Sequence, residues 1–295
     1  MKCVRSGIFV NKKMSGSFAT RPTKRLPHPT LFHKGRGIER NYEMQNYPHY
    51  ITPGFPPFDP IELAKTTEEI VCKESARKYT GFYKVGVYGG ISTGYTVGCC
   101  LRCIYCWVEW SRDFPESHGQ FFTPKQAFQN LLFHAKKKRV TKLRISGGEP
   151  TIGKDHLLQV LEFVKTTNYL FMLETNGILL GYDQDYAKSL DQFNKNLHVR
   201  VSLKAGTPEG FQKRTGAVGK FYELPYLAIK NLKETKLEYH VACMSDPRVM
   251  STQERNTMLQ KLKEIGCHGY LEEEYCEPYP TSVVRLEKAG YHLFD

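Results

Sequence analysis

The chain has no apolar run approaching the ~20 residues that a helix needs to cross a bilayer, and acid is nearly missing from its first forty positions. The first absence argues against a membrane-spanning helix and, with 40% hydrophobic residues, for a globular protein away from the membrane. The opening stretch "MKCVRSGIFVNKKM" carries charge but too short an apolar segment for a secretory signal peptide. The acid shortage is local. About ten Lys and Arg stand against the single acid Glu39 in residues 1–40, so about +9 of the net charge of +12 belongs to that segment. Such a basic arm can bind nucleic acid or an acidic protein. It also resembles an acid-poor transit peptide, which leaves organellar targeting open, and a solvated tail has the same composition.

A spread-out cysteine framework is missing too. The count of nine is odd, and four of the nine, Cys99, Cys100, Cys103 and Cys106, fall within "CCLRCIYC". Disulfides would distribute them, so metal binding in a reducing, cytoplasmic compartment is the expectation. Nor does a second cysteine pair follow, as a closed four-ligand zinc site would require. Reading Cys99, Cys103 and Cys106 together gives C-x3-C-x2-C, three thiolates that can hold an iron–sulfur cube and leave one iron open. Cys100 is then a neighbour. Cys3 and Cys72 are isolated, and Cys243, Cys267 and Cys276 form no compact ligand set.

With 295 residues, one core with an appendage is expected. Residues 1–58 read as a basic, Pro/Gly-rich extension. Asp59 and Pro60 then start a covering helix through about Lys78, within a segment 59–82. From 83 to 295 apolar strands alternate with amphipathic helices. "YKVGVYG", "TKLRIS", "YLFMLE", "LHVRVSL", "LEYHVAC" and "GYLEE" are the expected strands, and the chain closes on a C-terminal helix. Six such repeats predict a parallel sheet under helices, curled into a full or partial (β/α) barrel with its chemistry at the carboxyl ends of the strands.

At the first of those ends lies the cysteine loop, in which Tyr105 precedes Cys106. After the second comes "SGGEP", with Gly147, Gly148 and Glu149, and after the third "ETNG", with Glu174 and Asn176. This order resembles the radical S-adenosylmethionine (SAM) superfamily, over roughly residues 83–275. The resemblance implies a partial (β/α)6 barrel in which Cys99, Cys103 and Cys106 hold a [4Fe-4S] cluster whose free iron binds SAM. Electron transfer through the cluster would split SAM to a 5′-deoxyadenosyl radical that takes hydrogen from a substrate. It further implies that Gly147, Gly148 and Glu149 meet the SAM ammonium. Glu174, Asn176, Ser202 and Lys204 would stand near the cofactor, with Tyr105 beside the cluster.

"SLKAGTPEGFQKRTGA" looks most like the compact, single-cluster activating-enzyme branch, whose members act on a partner protein, notably by making glycyl radicals; RNA or a small molecule are the other substrate classes. A reduced flavodoxin or ferredoxin would supply electrons, and the basic run "AKKKRVTK" could dock it. Trp107 and Trp110 would pack over the cluster. Among Glu272, Glu273 and Glu274, alternation points the middle one away from its neighbours. The rival from another class is a non-catalytic iron–sulfur or zinc protein that binds nucleic acid through its tail.

Overall fold

A computed structural model describes residues 47–294. Most of the basic extension, residues 1–46, lies outside the described residues, as does Cys3. The first described helix, α1 (Pro60–Val71), starts as its sequence dictates. Asp59 Oδ1 accepts from the N–H groups of Ile61 and Glu62, and Pro60 occupies the first turn where no donor is needed. It ends at Val71, earlier than the Lys78 expected. Cys72 is already extended, and a short hairpin turns at Glu74, which takes the left-handed conformation with φ 53°. The turn joins β1 (Cys72–Lys73) to β2 (Ala76–Val85). β-prone residues such as Tyr79, Phe82 and Tyr83 pair there with the next strand, and that pairing overrides the helical look of "CKESARK".

The main sheet carries six parallel strands in the order β3 (Ile91–Thr96), β5 (Lys142–Gly147), β6 (Leu170–Thr175), β7 (Leu197–Leu203), β8 (Glu238–Met244) and β9 (Leu271–Glu274). β2 extends it antiparallel beside β3, and β4 (Gln120–Phe122) pairs with β2. The sheet does not close, so the expected partial (β/α)6 barrel is the fold. One expected strand is displaced. "YKVGVYG" supplies only the end of β2 and a turn, and the true first parallel strand is "ISTGYT".

Helices α2 (Pro124–Lys138), α3 (Lys154–Lys165), α7 (Glu223–Lys233) and α8 (Thr252–Glu264) cover one face, with shorter α4 (Ile178–Tyr182), α5 (Gln184–Ser189) and α6 (Pro208–Thr215) between them. α9 (Pro280–Lys288) follows β9. The strand residues beneath them are fully buried and apolar: Leu143, Ile145, Phe171, Leu173, Val199, Val201 and Val241. Each contributes roughly 1.5–3 kcal/mol by leaving water. Alternation sends Arg144, Ser146, Glu174, His198, Arg200, Ser202, His240, Glu272 and Glu274 to the opposite, concave face, where they hydrogen-bond to one another across strands. The lumen of this barrel is therefore polar.

Candidate active site

The cysteine loop leaves β3 at Thr96 and is pinned at several points. Gly98 donates to the Ser111 carbonyl at 3.1 Å, Arg102 to Thr215 at 2.9 Å and Ile104 to Arg214 at 3.0 Å. Cys106 N–H closes a turn on the Cys103 carbonyl at 3.2 Å. Cys100 is fully buried and takes part in the loop's packing. Its thiol hydrogen-bonds Cys99, which lowers the Cys99 pKa to about 7 despite burial and raises its own. Burial pushes Cys103 up to about 12, against the pull of Lys204.

The donor set suits an iron–sulfur cube. It is all sulfur and comes from one short loop. Thiolates around one zinc share a centre at ~2.3 Å, whereas those on a cube bind separate corners.

Gly147 and Gly148 bring the end of β5 against this loop. Gly148 N–H bonds the Thr96 carbonyl and Glu149 N–H the Gly98 carbonyl, both at 2.8 Å. Gly147 has φ 91°, a conformation that side chains resist. Glu149 is 3% exposed. Its Oε1 accepts from Thr151 N–H, Thr151 Oγ1 and Thr175 Oγ1, and its Oε2 from Asn176 N–H. The carboxylate thus staples the ends of β5 and β6 together. Asn176 uses Oδ1 to cap α4 at Ile178 N–H, while its Nδ2 donates to Cys100 Sγ at 3.3 Å and lies 3.8 Å from Cys99 Sγ. The three motifs that stand apart in sequence therefore meet through Glu149 and Asn176.

Tyr105 and Lys204 meet on the other side of the loop. The Tyr105 hydroxyl donates to the Lys204 carbonyl at 3.3 Å, and Lys204 Nζ donates to Ser202 Oγ at 2.6 Å. Ser202 passes the chain on to Glu274 Oε2 at 3.1 Å. Glu174 stands apart from the cysteines, inside the lumen, where Tyr88, Arg144 and Ser146 all donate to it. Burial works against its charge, but Arg144 and Arg200 outweigh that and hold its pKa below the usual range. Arg200 pairs with both Glu272 and Glu274. Burial raises the Glu272 pKa, yet the bonds from His240 and Arg200 hold it down at about 2. His240 bridges Glu272 to His198, at 3.0 and 2.7 Å. Glu273 does point away, to Arg255 on α8, as alternation predicts.

Cys243 and Cys276 are buried, and burial pushes each thiol up to about 12. Trp107 is half-exposed at the mouth, edge-on to Tyr95, and Trp110 lies against the Arg285 guanidinium. The basic run Lys136–Arg139 ends α2 and precedes the start of β5, whereas the cysteines follow the far end of β3. Since β3 and β5 are parallel, a strand length of ~20 Å separates the run from the loop. Sequence reasoning gave no role to the buried arginines Arg102, Arg112 and Arg285 or to Asp113. Arg285 arrives from α9, about 180 positions away, and no local pattern announces it.

The sequence profile of the Radical SAM superfamily matches residues 94–267, more than half of the chain. A probable GTP 3′,8-cyclase from Methanococcus maripaludis (strain C5) is 34% identical over 121 residues, 41% of this chain and 38% of the relative. A 7-carboxy-7-deazaguanine synthase from Aquifex aeolicus is 30% identical over 139 residues, 47% of this chain and 51% of that one. The chain spans about half or less of the length of these relatives. Among solved structures, that of TYW1 with a lysine-pyruvate adduct bound shares the fold at a TM-score of 0.50 and 16% identity, over 67% of each chain. The chain belongs to the radical SAM superfamily, whose cofactors are a [4Fe-4S] cluster and S-adenosylmethionine.

Proposed function

We propose that this chain is a radical SAM enzyme acting on a small polar molecule held in the barrel lumen, with Cys99, Cys103 and Cys106 as the cluster's ligands. When bound, the cluster supplies the electron that splits SAM into methionine and a 5′-deoxyadenosyl radical. The observation that carries the reading is the bond from Glu149 N–H to the Gly98 carbonyl, which seats the Gly147–Glu149 turn against the thiol loop. Backbone carbonyls and the Glu149 charge would receive an ammonium there, and Asn176 would donate to sulfur. Lys204 would face the cofactor's carboxylate or ribose across Ser202.

Protein activation, the class preferred on sequence grounds, is less favoured than a small molecule. The relatives found are named as a probable GTP 3′,8-cyclase and a 7-carboxy-7-deazaguanine synthase, which favours a small molecule. The lumen agrees. Arg144, Arg200, Glu174, Glu272 and Glu274 present fixed donors and acceptors, already paired, that can recognise a polar compound without the penalty of an unpaired buried charge. The electron donor would be a reduced flavodoxin or ferredoxin.

The test is anaerobic reconstitution with iron and sulfide, then dithionite and SAM. 5′-Deoxyadenosine should form well above the level of a Cys103→Ala control; none above it sinks the proposal. GTP is the first compound to add. Replacing Arg200 by Met should abolish any stimulation by substrate while leaving substrate-free SAM cleavage in place.

A further inference from the structure

Trp107 stands half-exposed although its backbone is fixed. Three successive carbonyls are held from α9: Arg285 Nη1 donates to Cys106 O and to Val108 O, and Thr281 Oγ1 donates to Trp107 O at 3.0 Å. The indole is nonetheless 43% exposed, at the position directly after the last cysteine of the trio. It belongs to a row of rings. Tyr83 stacks on Tyr95 with 4.5 Å between centroids, Trp107 meets Tyr95 edge-on at 6.1 Å, and Tyr279 is tilted against Trp107 at 6.4 Å. Tyr83 and Tyr279 are half-exposed as well, whereas Tyr95 is buried. Tyr95 lies two positions after Thr93, whose hydroxyl accepts from Arg144, so both face the lumen, and Arg144 lies beside the Tyr95 hydroxyl. The row runs from β2 and β3 at one edge of the open sheet to the segment after β9 at the other.

Large apolar side chains exposed singly are ordinary. Three in one row, one of them on a pinned backbone beside the cysteine loop, form a surface suited to a flat partner. A ring laid on the indole would remove apolar area from water on both sides, and little ordering would be lost, because the platform is set before anything binds. Stacking of this kind needs a π-face in the partner, which every nucleobase has. The paired charges of the lumen, Arg144 with Glu174 and Arg200 with Glu272, are there to read the polar edge of such a ring. We propose that Trp107 is the stacking platform for the substrate, which therefore carries a planar aromatic heterocycle such as a nucleobase. The proposal rests on the reading of a small polar molecule in the lumen and narrows it to one class. It also gives Trp107 a binding role where cover for the cluster was expected.

The test is equilibrium dialysis of guanosine, cytidine and ribose against the full-length, reconstituted chain, with SAM present and no reductant, so that nothing turns over. Wild type should retain at least one nucleoside and leave ribose free. Trp107→Leu keeps apolar bulk but removes the ring face, and should raise the nucleoside Kd at least about tenfold, whereas Trp107→Phe should stay within about threefold of wild type. Phe133→Leu, which removes an exposed ring on α2, is the control and should bind as wild type does. Equal nucleoside affinity in wild type and Trp107→Leu, ribose retained as well as the nucleosides, or no nucleoside retained at all would each overturn the proposal. So would a Trp107→Leu variant that loses affinity for SAM alone, since the ring would then serve the cofactor. If Trp107→Leu takes up no cluster, Tyr279→Leu decides, with an expected loss of at least about threefold and an unchanged Kd counting against the platform. Absence of 5′-deoxyadenosine in the reduced wild type would sink the enzymatic reading instead, a result on which the dialysis does not depend.

Discussion

A β-carbon on Gly148 would stand 2.0 Å from the carbonyl oxygen of Gly98. The obstacle is backbone held by the adjacent Glu149 N–H bond, so it cannot swing aside as a flexible side chain can. Gly148→Ala should therefore push the β5 turn off the cysteine loop. SAM affinity of the cluster-loaded protein is expected to fall at least about tenfold, the equivalent of ~1.4 kcal/mol. Gly86→Ala is the control, since its β-carbon would meet nothing within 4 Å. Equal SAM affinity in the two variants, by equilibrium binding, would show that the close approach does not shape the site.

Cys100 separates a three-thiolate site from a four-thiolate one. It is buried beside Cys99 and takes the Asn176 amide at 3.3 Å. Cys100→Ser should retain near wild-type iron and sulfide after reconstitution. Cys99→Ser, Cys103→Ser and Cys106→Ser should each lose most of both. Iron loss in Cys100→Ser as severe as in the other three would make Cys100 a ligand and leave no open corner for SAM.

Much of the site was legible because its motifs are local. The cysteine spacing, the paired glycines and the residues after each strand need only a few positions of context, and the helices announce themselves through caps such as Thr123 with Gln126 ahead of α2. What failed to show depends on distant partners. "ISTGYT" does not read as a strand because Gly94 interrupts it, and that glycine exists to admit Phe82, which would lie 2.7 Å from a β-carbon there. The alternation in "LRIS" and "HVRVSL" is plain, yet alternation cannot say whether the polar face meets solvent or a lumen. The bonds of Arg285 to the Cys106 loop could not be seen at all, because no pattern links residues so far apart.

Glu149 is held by two main-chain donors that cannot rotate, Thr151 N–H on one oxygen and Asn176 N–H on the other. In Glu149→Gln either orientation of the amide turns an NH2 group toward one of them. A buried donor then faces a donor, at a cost of about 1–3 kcal/mol. Urea unfolding of the cluster-free chain should show that loss, and Glu149→Asp, which keeps both acceptors on a shorter stem, should behave differently. No loss of stability in Glu149→Gln would mean that the staple is not under tension.

Two buried histidines set the acid limit of the fold. Burial lowers the His156 pKa to about 4, with the Ser75 carbonyl opposing and Arg77 assisting, while Tyr79 shares its other nitrogen. Burial, followed by the neighbouring His240, lowers His198 to about 4 as well. A group whose folded pKa lies below its unfolded value favours the unfolded state as protons are added. Stability is therefore whole above the ordinary histidine value near 6.5, falls as pH drops, and has lost its full histidine share below about 4. For His156, 2% exposed, that share is roughly 3 kcal/mol at most. The carboxylates Glu272 and Asp246, held at about 2, add their loss only below the ordinary carboxylate range. Unfolding free energy of the cluster-free chain should decline between pH 6.5 and 4, and the decline should be shallower in His156→Gln, which can keep one polar contact without charging. Parallel curves for wild type and His156→Gln would show that protonation of this buried ring does not limit the fold.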